Sequence, residues 1–235
     1  MERPVLYLCD QGIAVITLNR PERRNAINEA LLRGLYEGID RAAADDAVKA
    51  VIITGNGKAF CSGLDLDCLA TDNLMDPRGD GRDMVVVMGE CEKPIIGAVN
   101  GHAITGGFEL ALNCDFLIAS ENAIFIDSHA KVGIHPGWGM TQLLQQAVGQ
   151  RMAKQFSLTC QPISAEKALQ SGLVNEVVAP DALLDRAKEI AGQFCAVNFE
   201  LALTIKKCIE YRNATTFEAA LANERRGFRK MFGGR

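Results

Sequence analysis

The groups in this sequence best placed to do chemistry are two glycine-bearing corners and one carboxylate. Gly63 sits in AFCSGLD (59–65), and GHAITGGFEL (101–110) carries Gly101, Gly106 and Gly107. Each follows an apolar, β-branched run, 48–54 and 95–99, and so reads as a strand-to-helix corner. At such corners glycine lets a ligand approach the backbone, the first helical N–H groups lack acceptors, and the helix dipole adds positive potential. Two of them together suggest a site that stabilises an oxyanion. Glu109 lies three residues past Gly106, one turn along the same helical face. It is either an acid suited to a helix N-terminus, or a base that reaches the carbon beside a carbonyl held at the corner.

Other constellations are weaker. Asp127-Ser128-His129 has the residue types of a hydrolytic triad, but in an extended segment Ser128 points away from its neighbours, so the three do not converge. GxGxxG, GxxxxGK[ST] and GxSxG are all missing. His102, His129 and His135 lack metal-ligand spacing. No metal and no cofactor is expected, and His102 and His135 read as structural.

The elements that must position these groups alternate. Residues 4–9 and 13–18 read as a hairpin around Asp10-Gln11-Gly12. Ile27, Leu31, Leu35 and Ile39 recur every four residues, an amphipathic helix capped by Asn25 or Asn28. Strands follow at 48–54, 95–99, 116–119, 123–126 and 174–178, with helices over 84–92 and 107–113. The polar stretch 67–83, with Pro77, Gly79 and Gly81, reads as a mobile loop. Beyond Pro136 the pattern is mostly helical, and the C-terminal helices begin near Asp181. Strands alternating with helices predict an α/β fold.

Bulk properties narrow the partners. A hydrophobic fraction of 48% with 23% charged residues fits a globular chain with a full core. The net charge of −4 argues against a nucleic-acid partner, which needs a basic stripe. Arg20, Arg23 and Arg24, and again Arg225, Arg226, Arg229 and Lys230, read as solvated faces that could also hold a small polyanion. Eight cysteines without a C-x-x-C pair read as reduced thiols, which implies a cytoplasmic or similarly reducing location. MERPVLYLCDQG has neither a long apolar core nor an Arg-rich leader, and no apolar run reaches membrane-spanning length, so no membrane partner is expected.

Four segments together resemble a known family. NRPERRNAIN (19–28), TGNGKAFCSGLDL (54–66), KPIIGAVNGHAITGGFELALNCDFLIAS (93–120) and VGIHPGWGMTQLL (132–144) are similar, in order and spacing, to the signatures of the crotonase (enoyl-CoA hydratase/isomerase) superfamily. The resemblance implies a ClpP/crotonase-like spiral of ββα units over 1–180 that carries an acyl-CoA site. It also implies a C-terminal helical region, 181–235, that builds a homotrimer or dimer of trimers. Chains of the family usually continue with a further helix over the CoA, so part of that site is expected beyond Phe232-Gly233-Gly234-Arg235.

Carried across residue by residue, the resemblance puts the two oxyanion-hole amides on Leu64 and Gly106 and the first catalytic glutamate on Glu109. It puts CoA binding on Ala26, Ser62, Asp65 and Leu66, with Arg23, Arg24 and Lys58 near the phosphates. One departure stands out. Where hydratases of the family carry a second glutamate, in a segment like FxxPE, this chain reads FIDSH and presents His129. Imidazole does acid or base work near neutrality, and Asp127 could orient or replace it. The implied reaction is addition of water to a 2-enoyl-CoA through an enolate. The alternatives are an enoyl-CoA isomerase, for which one base suffices, and a non-catalytic acyl-CoA-binding homologue. Choice of acyl chain is expected to fall to loop 67–83, Phe108 and Trp138, the last read first as packing.

Overall fold

The computed structural model describes residues 3–233. Strands β1 (Val5–Asp10) and β2 (Ile13–Leu18) form the expected hairpin, with Asp10 opposite Ile13. Gln11 and Gly12 turn it at φ 48° and 78°, the double positive φ of a tight hairpin whose twist matches the strands. Helix α1 (Glu29–Ala44) follows, burying Leu31, Leu35 and Ile39. Of the two possible caps it uses Asn28, whose side chain accepts from the Leu31 N–H at 2.9 Å.

The chain then winds as a spiral. Strand β3 (Ala50–Gly55) leads to the short β4 (Ala59–Cys61) and helix α2 (Met84–Glu90). The next turn is β5 (Ile95–Val99), β6 (His102–Ile104) and α3 (Gly106–Leu112). The third is β7 (Phe116–Ser120), β8 (Ile124–Ile126) and the single-turn α4 (His129–Val132). Helices α5 (Met140–Val148) and α6 (Gln150–Thr159), strand β9 (Ile163–Ser164), helix α7 (Ala165–Gln170) and strand β10 (Glu176–Val178) complete it. The long strands make one sheet, β1-β2-β3-β5-β7-β10, and the short ones another, β4-β6-β8-β9. Successive turns pair in parallel in both sheets. This is the spiral of ββα units that the family resemblance implied.

The central strands are buried on both faces, as parallel strands with covered faces must be. One face packs on α1, α3 and the short sheet through Leu35, Tyr36, Phe60, Phe108 and Phe125. The other is covered by α8 (Leu183–Cys195), whose Leu183, Ala187 and Ala191 meet Ile52, Ile96 and Ile118. The first C-terminal helix is thus part of the core. Helices α9 (Phe199–Tyr211) and α10 (Phe217–Phe232) bury no residue completely, and α9 is tied to the sheet by Lys206 on Asp115 at 3.0 Å.

Segment 67–83, read as a mobile loop, is joined to α1 at several points. Asp72 accepts from the Glu29 N–H at 2.9 Å and the Glu29 carboxylate accepts from the Asn73 N–H at 3.1 Å, a reciprocal clasp at the start of α1. Further along, Arg78 and Arg82 both reach Asp40 on α1, at 2.7 and 2.8 Å. Glycine and proline content marks absence of regular structure, and charged side chains supplied the anchors.

Candidate active site

The second corner is the expected strand-to-helix turn, from β6 into α3, whereas Gly63 turns from β4 into a single 3-10 turn at Leu66–Cys68 with no α-helix behind it; the spiral brings the two side by side. Segments 24–27 and 62–65 pair as a short parallel bridge: Ser62 N–H donates to Arg24, Ile27 N–H to Gly63, and Asp65 N–H to Ile27, at 3.1, 2.7 and 2.8 Å. Gly63 sits at φ +91°, and a side chain there would come within 2.8 Å of the Ile104 carbonyl. The same built Cβ lies 3.5 Å from the Gly106 nitrogen, so the two corners touch. Gly107 backs them: a Cβ on it would overlap the Cys61 carbonyl at 2.1 Å, which only glycine avoids. Among the described residues, the N–H groups of Leu64 and Gly106 donate to no protein acceptor.

Between the corners, Thr105 holds an uncommon backbone, φ 52° and ψ −113°. For a β-branched residue this is an outlier, costing on the order of 1–3 kcal/mol.

Glu109 is buried in the first turn of α3. Its Oε1 accepts from the N–H groups of Trp138 and Met140, at 2.8 and 3.2 Å. Asn113 fixes that stretch by donating to the Trp138 carbonyl at 2.8 Å. Oε2 faces the His129 Nε2 at 3.5 Å. On the far side of the ring, Nδ1 meets Asp127 Oδ1 at 2.7 Å, and the same oxygen accepts the His129 backbone N–H at 3.2 Å. Glu109, His129 and Asp127 thus form one line of charge, all of it buried.

The electrostatics follow from that line. Burial opposes a charged imidazole, but the hydrogen bonds and charges of Asp127 and Glu109 outweigh it, and His129 is pushed up to about 9. For Asp127 burial again opposes the charge, and its bonds to His129 hold it below the usual carboxylate range. The ring is therefore an imidazolium at neutral pH, flanked by carboxylates.

Asp127 and His129 do share a side, as the sequence suggested, though the geometry responsible is different. The segment is a turn leading into α4, with Ser128 at φ −103° and ψ 11°, and not an extended strand. Ser128 still points away, to the Thr105 hydroxyl, so no triad forms.

Leu64, Gly106, Glu109, His129 and Trp138 line one cleft of about 340 Å³, walled further by Leu69, Leu74, Met75 and Ile134. Trp138 is thus packed and also part of the wall, while Phe108 packs at a tilt against Phe125 in the core, ring centres 5.3 Å apart. His135 is exposed and lines the cleft as well, and His102 is exposed on β6. Of the residues assigned to CoA, Ala26, Ser62 and Leu66 lie on or beside the bridge, and Arg23, Arg24 and Lys58 are exposed. Arg23 pairs with Asp67 at 3.0 Å. Asp65 turns inward: its carboxylate is buried on Arg20 at 2.9 Å, so its side chain pins the bridge. Arg20, read as part of a solvated cluster, is correspondingly withdrawn from solvent and also donates to the Ala26 carbonyl.

The family model for enoyl-CoA hydratase/isomerase matches residues 9–234. The chain belongs to that family. A probable peroxisomal enoyl-CoA hydratase of Arabidopsis thaliana is 43% identical over 198 residues, 84% of this chain and 75% of its relative. A short-chain-enoyl-CoA hydratase of Clostridium acetobutylicum is 40% identical over 230 residues, 94% of this chain and 86% of that one. Among solved structures, an enoyl-CoA hydratase of Mycobacterium tuberculosis superposes with a TM-score of 0.82 at 40% identity, covering 94% of this chain and 95% of the other. Within this enoyl-CoA hydratase/isomerase chain, sequence reasoning missed the amides of Trp138 and Met140, the Asn113 side chain that fixes them, and Thr105. Nothing local marks the first three, which become partners only through the spiral. Thr105 carries a faint signal, a β-branched residue directly beside a glycine pair.

Proposed function

We propose that the chain hydrates a 2-enoyl-CoA thioester, with no cofactor beyond the CoA of its substrate. The observation that carries this is the pairing of a fixed carboxylate, Glu109, with an imidazolium, His129, 3.5 Å apart at the cleft that holds the two unpartnered amides. The Leu64 and Gly106 N–H groups bind the thioester oxygen, and an enolate strengthens those bonds as charge moves onto oxygen. Glu109 takes a proton from water as its oxygen adds to C3. His129, protonated at neutral pH, supplies the proton to C2, and Asp127 keeps the ring oriented. Ala26, Ser62 and Leu66 line the path of the CoA, with Arg23, Arg24 and Lys58 toward its phosphates.

A second proton-transfer group favours hydration over isomerisation, for which one base suffices. The test is to follow loss of enoyl absorbance with crotonyl-CoA and longer 2-enoyl-CoA substrates. Turnover with water incorporation supports the proposal. Proton exchange at C2 or C4 without net hydration would replace it with an isomerase, and binding without turnover with a non-catalytic homologue.

Assembly as a homotrimer or dimer of trimers is supported by apolar side chains left exposed on α9 and α10, among them Ile209, Phe228 and Met231. Light scattering measures it. None of the eight cysteines is in a disulfide, in keeping with a reducing, cytoplasmic setting. No described helix is long and apolar enough to cross a membrane.

A further inference from the structure

Two hydroxyl groups tie the oxyanion corner to the acid. Thr105 directly precedes Gly106, Ser128 directly precedes His129, and their side-chain oxygens are hydrogen-bonded to each other. The peptide between Thr105 and Gly106 is one rigid plane, carrying the Thr105 carbonyl at one end and the Gly106 N–H at the other. The ψ angle of Thr105 therefore aims the Gly106 N–H. That ψ is −113° in combination with φ 52°, a conformation that glycine takes up without strain and a β-branched residue resists. Four bonds hold it: the Thr105 N–H donates to Ile126 at 2.8 Å, its carbonyl accepts from Phe108 and Glu109 at 2.9 Å each, and its hydroxyl meets Ser128. Only the last reaches the turn that carries His129.

We infer that Thr105 and Ser128 are positioning residues, whose hydroxyl pair fixes the direction of the Gly106 N–H relative to the His129 ring. The inference rests on the hydratase reading given above. It predicts that the bond matters to the grip on a developing oxyanion and little to ground-state CoA affinity.

The experiment compares T105S, T105V, T105G, S128A and the T105V/S128A pair with the wild type. Two readouts are taken, crotonyl-CoA hydration and the red shift of bound cinnamoyl-CoA, which reports polarisation of the thioester carbonyl without turnover. A whole oxyanion donor is worth about 100- to 1,000-fold in rate, so a misaimed one should lose roughly 10- to 100-fold in kcat. T105V and S128A are each expected to show that loss with a smaller red shift and KM within about threefold, and T105S should keep most of both readouts. The double variant should be no worse than either single one, because both remove the same bond. T105G separates strain from the hydroxyl: it should melt no lower than the wild type and still lose rate.

Wild-type kcat and red shift in folded S128A would overturn the inference, whether or not T105V folds. So would a loss confined to melting temperature, the mark of a purely structural bond. A wild type that red-shifts cinnamoyl-CoA but never hydrates an enoyl-CoA would sink the hydratase reading alone, leaving this inference to be judged on the red shift.

Discussion

Replacing Asp127 with Asn separates the acid from what holds it charged. His129 is raised to about 9, about 2.5 pH units above an ordinary histidine, which is about 3 kcal/mol in favour of the imidazolium. Two carboxylates supply this against burial, and Asp127 at 2.7 Å is closer than Glu109 at 3.5 Å. The D127N variant keeps the shape and the burial while removing the nearer charge, so the ring should titrate about one to two pH units lower. An acid must be protonated to donate, so kcat/KM of the wild type should fall as pH rises through about 9. In D127N that alkaline limb should move down by about one to two units. H129Q should lose roughly 100- to 10,000-fold and show no such limb.

Stability carries the same sign. Because the folded-state value lies above the unfolded one, the stabilisation is fully present below about pH 6.5 and is lost as pH rises toward about 9. The melting-temperature gap between wild type and D127N should therefore be wider at pH 6 than at pH 10. The assays are pH–rate profiles with crotonyl-CoA and the NMR titration of the His129 ring protons in both proteins. An alkaline limb that stays put in D127N, or survives in H129Q, would refute the assignment of His129 as the acid.

Three further outcomes are expected. E109Q retains an oxygen for the Trp138 and Met140 amides, so it should fold and bind CoA normally while kcat falls by about 100-fold or more, read by calorimetry beside the rate assay. G106P deletes one proposed oxyanion donor, but its ring also drives Thr105 out of φ 52°, ψ −113°; kcat should drop by about 100-fold or more together with a lowered melting temperature, read by the rate assay beside circular dichroism. D40N strips Arg78 and Arg82 of a shared partner, so the melting temperature should fall about 3–6 °C and segment 67–83 become the first site cut in limited proteolysis.

Much of the framework was legible in the chain because its signals are local. The hairpin around Gln11-Gly12, the four-residue spacing in α1 and the β-branched runs of β3 and β5 depend on neighbours along the sequence. Strands β4, β6 and β9 did not show, since at two or three residues each they exist only by pairing with one another and with β8. The contacts of segment 67–83 were hidden for a similar reason, since Glu29 and Asp40 lie on a helix 38 or more positions earlier.

The active-site candidates divide along the same line. Gly63, the glycine pair at 106–107, Glu109 and the histidine at 129 could be named from residue type and order, because backbone freedom and titratable groups are properties of single residues. That Leu64 and Gly106 line one cleft, that Trp138 and Met140 hold Glu109, and that Glu109 meets the His129 ring on the side away from Asp127 were tertiary decisions. The identity of each group was written locally; its charge state was not. A histidine titrates near neutrality until carboxylates come within a few ångströms; Asp127 is a neighbour two residues back, but Glu109 reaches the ring from α3 only through packing.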